Sequence, residues 1–292
     1  MSALSKTRMV SRNAINAVIE NCARLAETHP FVWKLAWEAV HRLTFLLPHD
    51  QSYKAFRHFV AARPQGLFLD VGANDGISVL SFRRFSKQYR ILGLEPNPAL
   101  RPSLQKIKSR DPLFDFKMVG AGASALRLPF FVPTYKSIVL HTFTSSSREQ
   151  VQASVARSFG KSVGAAIVIH PFEAEIIRLD DLNVDPAIIK VDAEGFDYDV
   201  LVGLEKTIER SRPFIATEIA ASEYDKVKSY LTERRYVLLL YDINNDCFAP
   251  DVASYGKAVS AMSGHRNFFA VPEEMRSSLP VEATIASSTA DL

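Results

Sequence analysis

Leu67-Phe68-Leu69-Asp70-Val71-Gly72-Ala73-Asn74-Asp75-Gly76 decides how this chain is read: an apolar run ends at an acidic residue and breaks into a glycine turn, with a helix starting near Ile77. Without a Cβ, Gly72 lets the main chain bend sharply and lets a ligand approach it closely. Gly76 does the same where the helix begins. Asp70 then stands at the carboxyl end of the strand, the edge at which open α/β sheets bind ligands. A carboxylate there suits a cofactor whose amino-acid portion is positive or donates hydrogen bonds. Taken alone, the segment also fits an ordinary strand, turn and helix that bind nothing.

A second apolar run, Ile91-Leu92-Gly93-Leu94-Glu95-Pro96-Asn97-Pro98, places Glu95 25 positions after Asp70, at the tip of the neighbouring strand. A carboxylate there can accept both ribose hydroxyls of a nucleoside. A strand-end Glu by itself is usually a solvated charge, so the signal lies in the pairing with the glycine turn. The dinucleotide fingerprint needs G-x-G-x-x-G to cradle a pyrophosphate, whereas this turn reads G-x-N-x-G, with Asn74 in place of a glycine. That favours a ligand lacking a pyrophosphate. No G-x-x-x-x-G-K-[ST] occurs, which argues against a nucleoside triphosphatase.

Outward from this turn, short apolar runs alternate with helix-like stretches, the mark of βαβ units and a parallel, doubly wound sheet. Strands are expected at 67–71, 91–94, 116–119, 188–191, 214–217, 236–241 and 267–271, with helices after the first, second, fourth and fifth. The rhythm fails between Ala123 and Asp181, where 126–132 reads as an edge strand and 142–147 is almost all hydroxyl-bearing. An insertion of this length, at about 134–175, is commonly a lid or binding loop. Residues 1–60 read as an N-terminal helical extension. One amphipathic helix runs over 15–26, and a second runs from Phe31 toward Pro48. Residues 61–280 form the main domain and 281–292 a flexible tail.

Composition narrows the class. Hydrophobic residues make up 47% and charged residues 23% of 292 positions, which suffices for a large core. The net charge is only +3, so the overall field gives no argument for nucleic acid. Only Cys22 and Cys247 are present, too few for a disulfide framework, and a reducing cytoplasm is the expectation. No apolar stretch reaches the roughly 18 residues of a membrane span.

Three segments together resemble the FkbM-type methyltransferases: Asp70 to Gly76, Gly93 to Pro98, and Ile189-Lys190-Val191-Asp192-Ala193-Glu194-Gly195-Phe196-Asp197 followed by Val200-Leu201-Val202-Gly203. Their order and spacing over about residues 66–220 are more specific than any one of them. The resemblance implies a Rossmann-like α/β fold of about seven strands, the last added antiparallel. It also implies S-adenosylmethionine held by Asp70, Gly72, Ala73, Asn74, Gly76, Glu95 and Asn97, and methyl transfer to an oxygen of a sugar or other small metabolite. Residues 1–60 and 134–175 match no part of the pattern.

The tip of the fourth strand carries Asp192 and Glu194, and Glu218 ends the fifth. Adjacent carboxylates repel unless something positive or hydrogen-bonding lies between them. Three explanations stand. One carboxylate has a raised pKa and takes the acceptor's proton. Alternatively, Asp192 and Glu218 bind a divalent cation, for which oxygen ligands suit magnesium. In the third, the carboxylates only cap helices, with Glu194 or Asp197 at a helix N-terminus. Lys190 shares a face with Asp192 and could pair with the cluster. His141, His170, Tyr135 and Ser145–Ser147 are weaker candidates in the insertion. An NAD-dependent oxidoreductase and a non-catalytic Rossmann-type binding module remain as alternatives, the latter recruiting a partner through the basic first 60 residues. Those residues could also pair two copies of the chain.

Overall fold

The computed structural model describes residues 30–44, 46–193, 195–250, 256 and 267–282. The helix expected over 15–26, Cys22, Glu194 and the tail from 283 onward lie outside these residues. The described strands are β1 (Leu67–Val71), β2 (Arg90–Leu94), β3 (Phe114–Lys117), β4 (Gly120–Gly122), β5 (Leu126–Tyr135), β6 (Ile138–Val139), β7 (Val168–Arg178), β8 (Pro186–Val191), β9 (Phe214–Glu218), β10 (Tyr236–Asp242), β11 (Cys247–Pro250) and β12 (Asn267–Pro272). The described α-helices are α1 (Pro30–Leu43), α2 (Phe56–Ala62), α3 (Ile77–Phe82), α4 (Arg101–Lys108), α5 (Arg148–Phe159), α6 (Lys161–Ala166), α7 (Asp197–Gly203), α8 (Glu205–Ser211) and α9 (Tyr224–Glu233). The chain divides into two compact units, Met1–Leu43 with Pro129–Glu173, and Thr44–Leu128 with Ala174–Leu292.

The larger unit holds an eight-stranded sheet in the order β11-β10-β12-β9-β8-β1-β2-β3. The run from β9 through β8, β1 and β2 to β3 is parallel. The late strand β12 lies antiparallel between β9 and β10. Without the edge strand β11, this is the Rossmann-like order of a class I methyltransferase, with the last strand inserted antiparallel next to the sixth. The sequence reading did not anticipate β11, which pairs antiparallel with β10.

Two-residue alternation explains why both faces of this sheet are covered. Leu69, Ile189, Ile215 and Phe268 point into one core, completed by Val200 and Leu201 of α7, Ile208 of α8 and Val227 and Leu231 of α9. Their neighbours Phe68, Ile188, Phe214 and Phe269 point into the other, completed by Phe56 and Phe59 of α2 and Phe82 of α3. Phe59 stacks on Phe214 with centroids 4.4 Å apart, and Phe68 on Phe82 at 4.1 Å. Every residue of β8 is buried, as a central parallel strand between two helical layers requires.

Two sequence boundaries move. The third strand lies at Phe114–Lys117 rather than 116–119, because Phe114 pairs with Ile91 and buries its ring. The chain then passes into β4, whose residues run parallel to Ile176–Arg178 of β7. The strand expected over 126–132 continues to Tyr135, with Pro129 and Pro133 inside it. Proline is tolerated at strand positions whose N–H is not needed by the ladder.

The smaller unit has its own core of Ile138, Leu140, Val155 and Phe159. Its hydroxyl-rich stretch is used locally. Ser147 caps α5 by accepting from the Gln150 N–H at 3.2 Å, and Ser145 donates to the Gln150 side chain at 2.8 Å. Such capping is worth about 1 kcal/mol. His170 contacts Thr134 Oγ1 at 3.0 Å, and the His141 ring lies edge-on to Trp37 at 5.9 Å. No described helix is long and apolar enough to cross a membrane.

Candidate functional site

The turn after β1 needs three left-handed residues in five: Gly72 (φ 76), Asn74 (φ 51) and Gly76 (φ 89). At Gly72 the requirement is also steric. A Cβ there would stand 2.0 Å from the main-chain oxygen of Asp192, because the Asp192 N–H donates to Val71 O and draws the two strand ends together. Asn tolerates the left-handed region better than most residues, and here Asn74 Oδ1 also accepts from the Asp75 N–H at 2.8 Å. At Gly76 a Cβ would meet Ile107 at 2.2 Å.

The tip of β2 closes on this turn. The N–H groups of Gly72 and Ala73 both donate to Leu94 O at 3.0 Å. Next along, the Asn74 N–H donates to Glu95 Oε2 at 2.9 Å, and the Asn97 N–H donates to Glu95 Oε1 at 2.8 Å. The sequence reading placed Glu95 beside the glycine turn, and the structure bonds them directly. Burial pushes the Glu95 carboxyl up to about 7, although the Asn97 and Asn74 N–H groups pull the other way. Asn97 is 2% exposed. Its Oδ1 accepts from the Ala99 N–H at 3.0 Å, while its Nδ2 is buried without a hydrogen-bond partner among the described residues. Buried donors are nearly always paired, so this one is an exception among the described residues.

Asp70 stands near the carboxyl end of β1, as expected, with its carboxylate turned inward. It is fully buried, with Oδ2 accepting from Ser78 Oγ at 2.5 Å and Oδ1 lying 3.6 Å from Lys190 Nζ. Burial raises its pKa and Lys190 opposes that rise. Asp70 therefore acts from beneath the turn and presents no surface to a ligand. Lys190, on β8, donates to Gly72 O at 2.9 Å and to Asp192 Oδ2 at 3.1 Å. Burial works against its charge, but Asp192 and Asp70 outweigh it and hold the ammonium well above its ordinary pKa.

Beyond β8 the acidic residues separate by role. Asp197 is buried and accepts from the N–H groups of Ala193 and Gly195. Burial, then the charge of Asp192, pushes it up to about 7. Glu223 accepts from the N–H groups of Tyr198 and Asp197, covering the start of α7, and burial raises its pKa as well. The first turn of α7 is thus covered by Glu223, while Asp197 ties down the loop that leads into the helix. Asp192 is one-third exposed at the strand tip, and half-buried Glu218 ends β9 opposite Asn267 of β12. Glu194 lies outside the described residues. Among the described residues no group of three or more His, Cys, Asp or Glu side chains is placed to hold a metal ion.

Sequence reasoning missed the segment just before α2. His49 Nδ1 lies 2.7 Å from Ser81 Oγ, and its ring is 4.6 Å from that of Tyr53. Burial drops the His49 pKa to about 4, keeping the ring neutral. Asn267 Nδ2 donates to Asp50 Oδ2 at 3.2 Å and Ser52 Oγ at 2.9 Å, which ties the segment to β12 at the same sheet edge. The only sequence signal was Asp50 two residues before Ser52, whose N–H it accepts at 2.7 Å.

Residues 70–238, which begin at the buried Asp70 and run into β10, match the family described as Methyltransferase FkbM domain. The chain belongs to this family. No curated protein matches it in sequence. Among solved structures, a methyltransferase FkbM from Methylobacillus flagellatus KT is 18% identical, with a TM-score of 0.42, over 61% of this chain and 40% of that one. The plantazolicin methyltransferase BpumL in complex with SAH is 11% identical, with a TM-score of 0.41, over 90% and 97% of the two chains. A precorrin-6y C5,15-methyltransferase from Geobacter metallireducens GS-15 is 10% identical, with a TM-score of 0.36, over 74% and 83%. The FkbM assignment rests on the family match.

Proposed function

We propose that this chain transfers the methyl group of S-adenosylmethionine to a hydroxyl oxygen of a small acceptor, a sugar or another hydroxylated metabolite. The observation that carries the reading is the junction of turn and strand tip: Asn74 N–H on Glu95, with the unpartnered Asn97 Nδ2 beside it. A nucleoside supplies what this corner lacks. Its ribose hydroxyls donate to Glu95, whose two oxygens each have a lone pair left after one N–H bond, and its acceptor atoms suit Asn97 Nδ2.

When bound, the cofactor supplies an electrophilic methyl group on a sulfonium. The residues of this chain then have two tasks. Glu95, Asn97 and the backbone of Gly72, Ala73, Asn74 and Gly76 hold the donor, with Asp70 bracing the turn from below. Asp192 and Glu218, at the adjacent tips of β8 and β9, orient the acceptor hydroxyl, together with Glu194. As the methyl group passes in line from sulfur to oxygen, one of these carboxylates takes the hydroxyl proton; the step depends mainly on holding both reactants in register, so positioning accounts for much of the acceleration.

Calorimetry with S-adenosylhomocysteine and, separately, NADH tests the reading. The homocysteine ligand should bind and NADH should not. Glu95→Ala should weaken the homocysteine ligand by about 1–3 kcal/mol, the usual loss of hydrogen bonds to a charged group. Unchanged affinity would remove Glu95 from the site, and binding of NADH alone would favour an oxidoreductase.

A further inference from the structure

The side chain of Lys190 is 6% exposed and has three N–H donors, which face three different parts of the site. Its shortest contact is to the carbonyl of Gly72 at 2.9 Å, followed by Asp192 Oδ2 at 3.1 Å and Asp70 Oδ1 at 3.6 Å. A lysine present only to neutralise the buried Asp70 and the strand-tip Asp192 would need no bond to a carbonyl. This one sits closest to a neutral carbonyl. Gly72 is thereby fixed from both sides, its N–H by Leu94 O on β2 and its C=O by Lys190 on β8. The hydroxyl of Tyr53 is buried without a hydrogen-bond partner among the described residues. Ser78 holds the far oxygen of Asp70 and keeps that carboxylate turned toward Lys190.

We propose that Lys190 is a positioning residue of the transfer site: by holding the Gly72 carbonyl and the Asp192 carboxylate, it shapes the side of the turn that receives the amino-acid end of the methyl donor. This rests on the preceding reading, in which Glu95 and Asn97 on the β2 side take the adenosine. Since β1 lies between β2 and β8, a donor with its adenosine over β2 extends its other end toward β8. Lys190 and Asp192 stand there. The ammonium touches no ligand. It fixes the groups that do.

Two ligands divide the donor at this boundary: adenosine reaches only the β2 side, and S-adenosylhomocysteine reaches both. Lys190→Met combined with Asp70→Asn removes the ammonium without leaving a bare buried carboxylate. Calorimetry on this variant should show S-adenosylhomocysteine weakened at least tenfold, with adenosine within twofold of the unsubstituted protein. Lys190→Arg keeps the charge but cannot place one nitrogen on both Gly72 and Asp192, so it should weaken S-adenosylhomocysteine severalfold and spare adenosine. It also serves if the double variant does not fold. Unchanged S-adenosylhomocysteine affinity in a folded variant would overturn the proposal. So would parallel loss of both ligands, the mark of a purely structural lysine. If the unsubstituted protein bound neither ligand, the methyl-donor reading itself would fall, and this inference with it.

Discussion

Asn74 and Glu95, 21 residues apart in sequence, meet through a single bond from main-chain N–H to carboxylate at 2.9 Å. The left-handed conformation of Asn74 turns that N–H toward β2, and the run of β2 delivers Glu95 to it. Neither strand makes the corner alone.

This corner should cost stability in a pH-dependent way. The Glu95 carboxyl titrates near 7 in the folded chain and near 4.5 when free, so the folded state holds the extra proton between those values. Stability contributed by the protonated form is therefore lost as pH rises from about 4.5 to about 7, by roughly 3 kcal/mol at most. Glu95→Gln escapes that loss. Urea melts should show the variant gaining on the unsubstituted protein by about 2–3 kcal/mol between pH 5 and pH 8. A difference that is the same at both pH values would contradict the assignment.

Replacing Gly72 should be far more damaging than replacing Gly195, although both are left-handed (φ 76 and 91). Among the described residues no heavy atom beyond the chain neighbours lies within 4 Å of a Cβ built at Gly195. Gly195→Ala should then cost only backbone strain, about 1–2 kcal/mol. Gly72→Ala adds a collision with Asp192 O at 2.0 Å, which backbone cannot easily relieve, and should cost several kcal/mol more or abolish folding. Equal midpoints in denaturant would show that the close approach of the two strand ends is not limiting.

Two buried tyrosines should respond with opposite signs. Tyr53 Oη has no hydrogen-bond partner among the described residues, whereas Tyr89 Oη donates to Arg63 O at 2.5 Å. Tyr53→Phe should leave stability unchanged or raise it by about 1 kcal/mol, and Tyr89→Phe should lower it by about 1 kcal/mol. Thermal melts of the two variants decide the matter. A loss in Tyr53→Phe comparable to that in Tyr89→Phe would mean the Tyr53 hydroxyl is satisfied.

On the far side of the larger unit, Arg212 holds Glu274 through two bonds of 2.8 and 3.0 Å, which lowers the Glu274 pKa to about 2. A depressed carboxyl contributes stability above its free value of 4.5, and that contribution is lost as pH falls toward 2. With Glu274 about half exposed, screening limits the pair to about 1 kcal/mol. Glu274→Gln should be less stable than the unsubstituted protein at pH 6 and equal to it near pH 2. A gap persisting in acid would point to packing instead.

Much of the larger sheet was legible because its strands alternate. Phe68 and Leu69, or Phe214 and Ile215, send neighbours to opposite cores, and that period survives in the sequence. The glycine turn and Glu95 were legible because each follows an apolar run at a fixed distance. The place of Asp70 on its strand was legible, but Ser78 and Lys190, which hold its carboxylate inward, are contacts across the fold. His49 and Tyr53 escaped altogether. They reach the sheet edge through Ser81, 32 residues from His49, and through Asn267, 217 residues from Asp50. No local pattern records such partners.

The placement of β12 has a consequence for biosynthesis. It lies between β9 and β10, so until Asn267–Pro272 leaves the ribosome the facing edges of β9 and β10 lack the partner they have in the folded sheet. Exposed edges recruit other chains. A nascent polypeptide stalled before residue 267 should therefore be a client for holding chaperones, released only when its final strand is threaded into the gap.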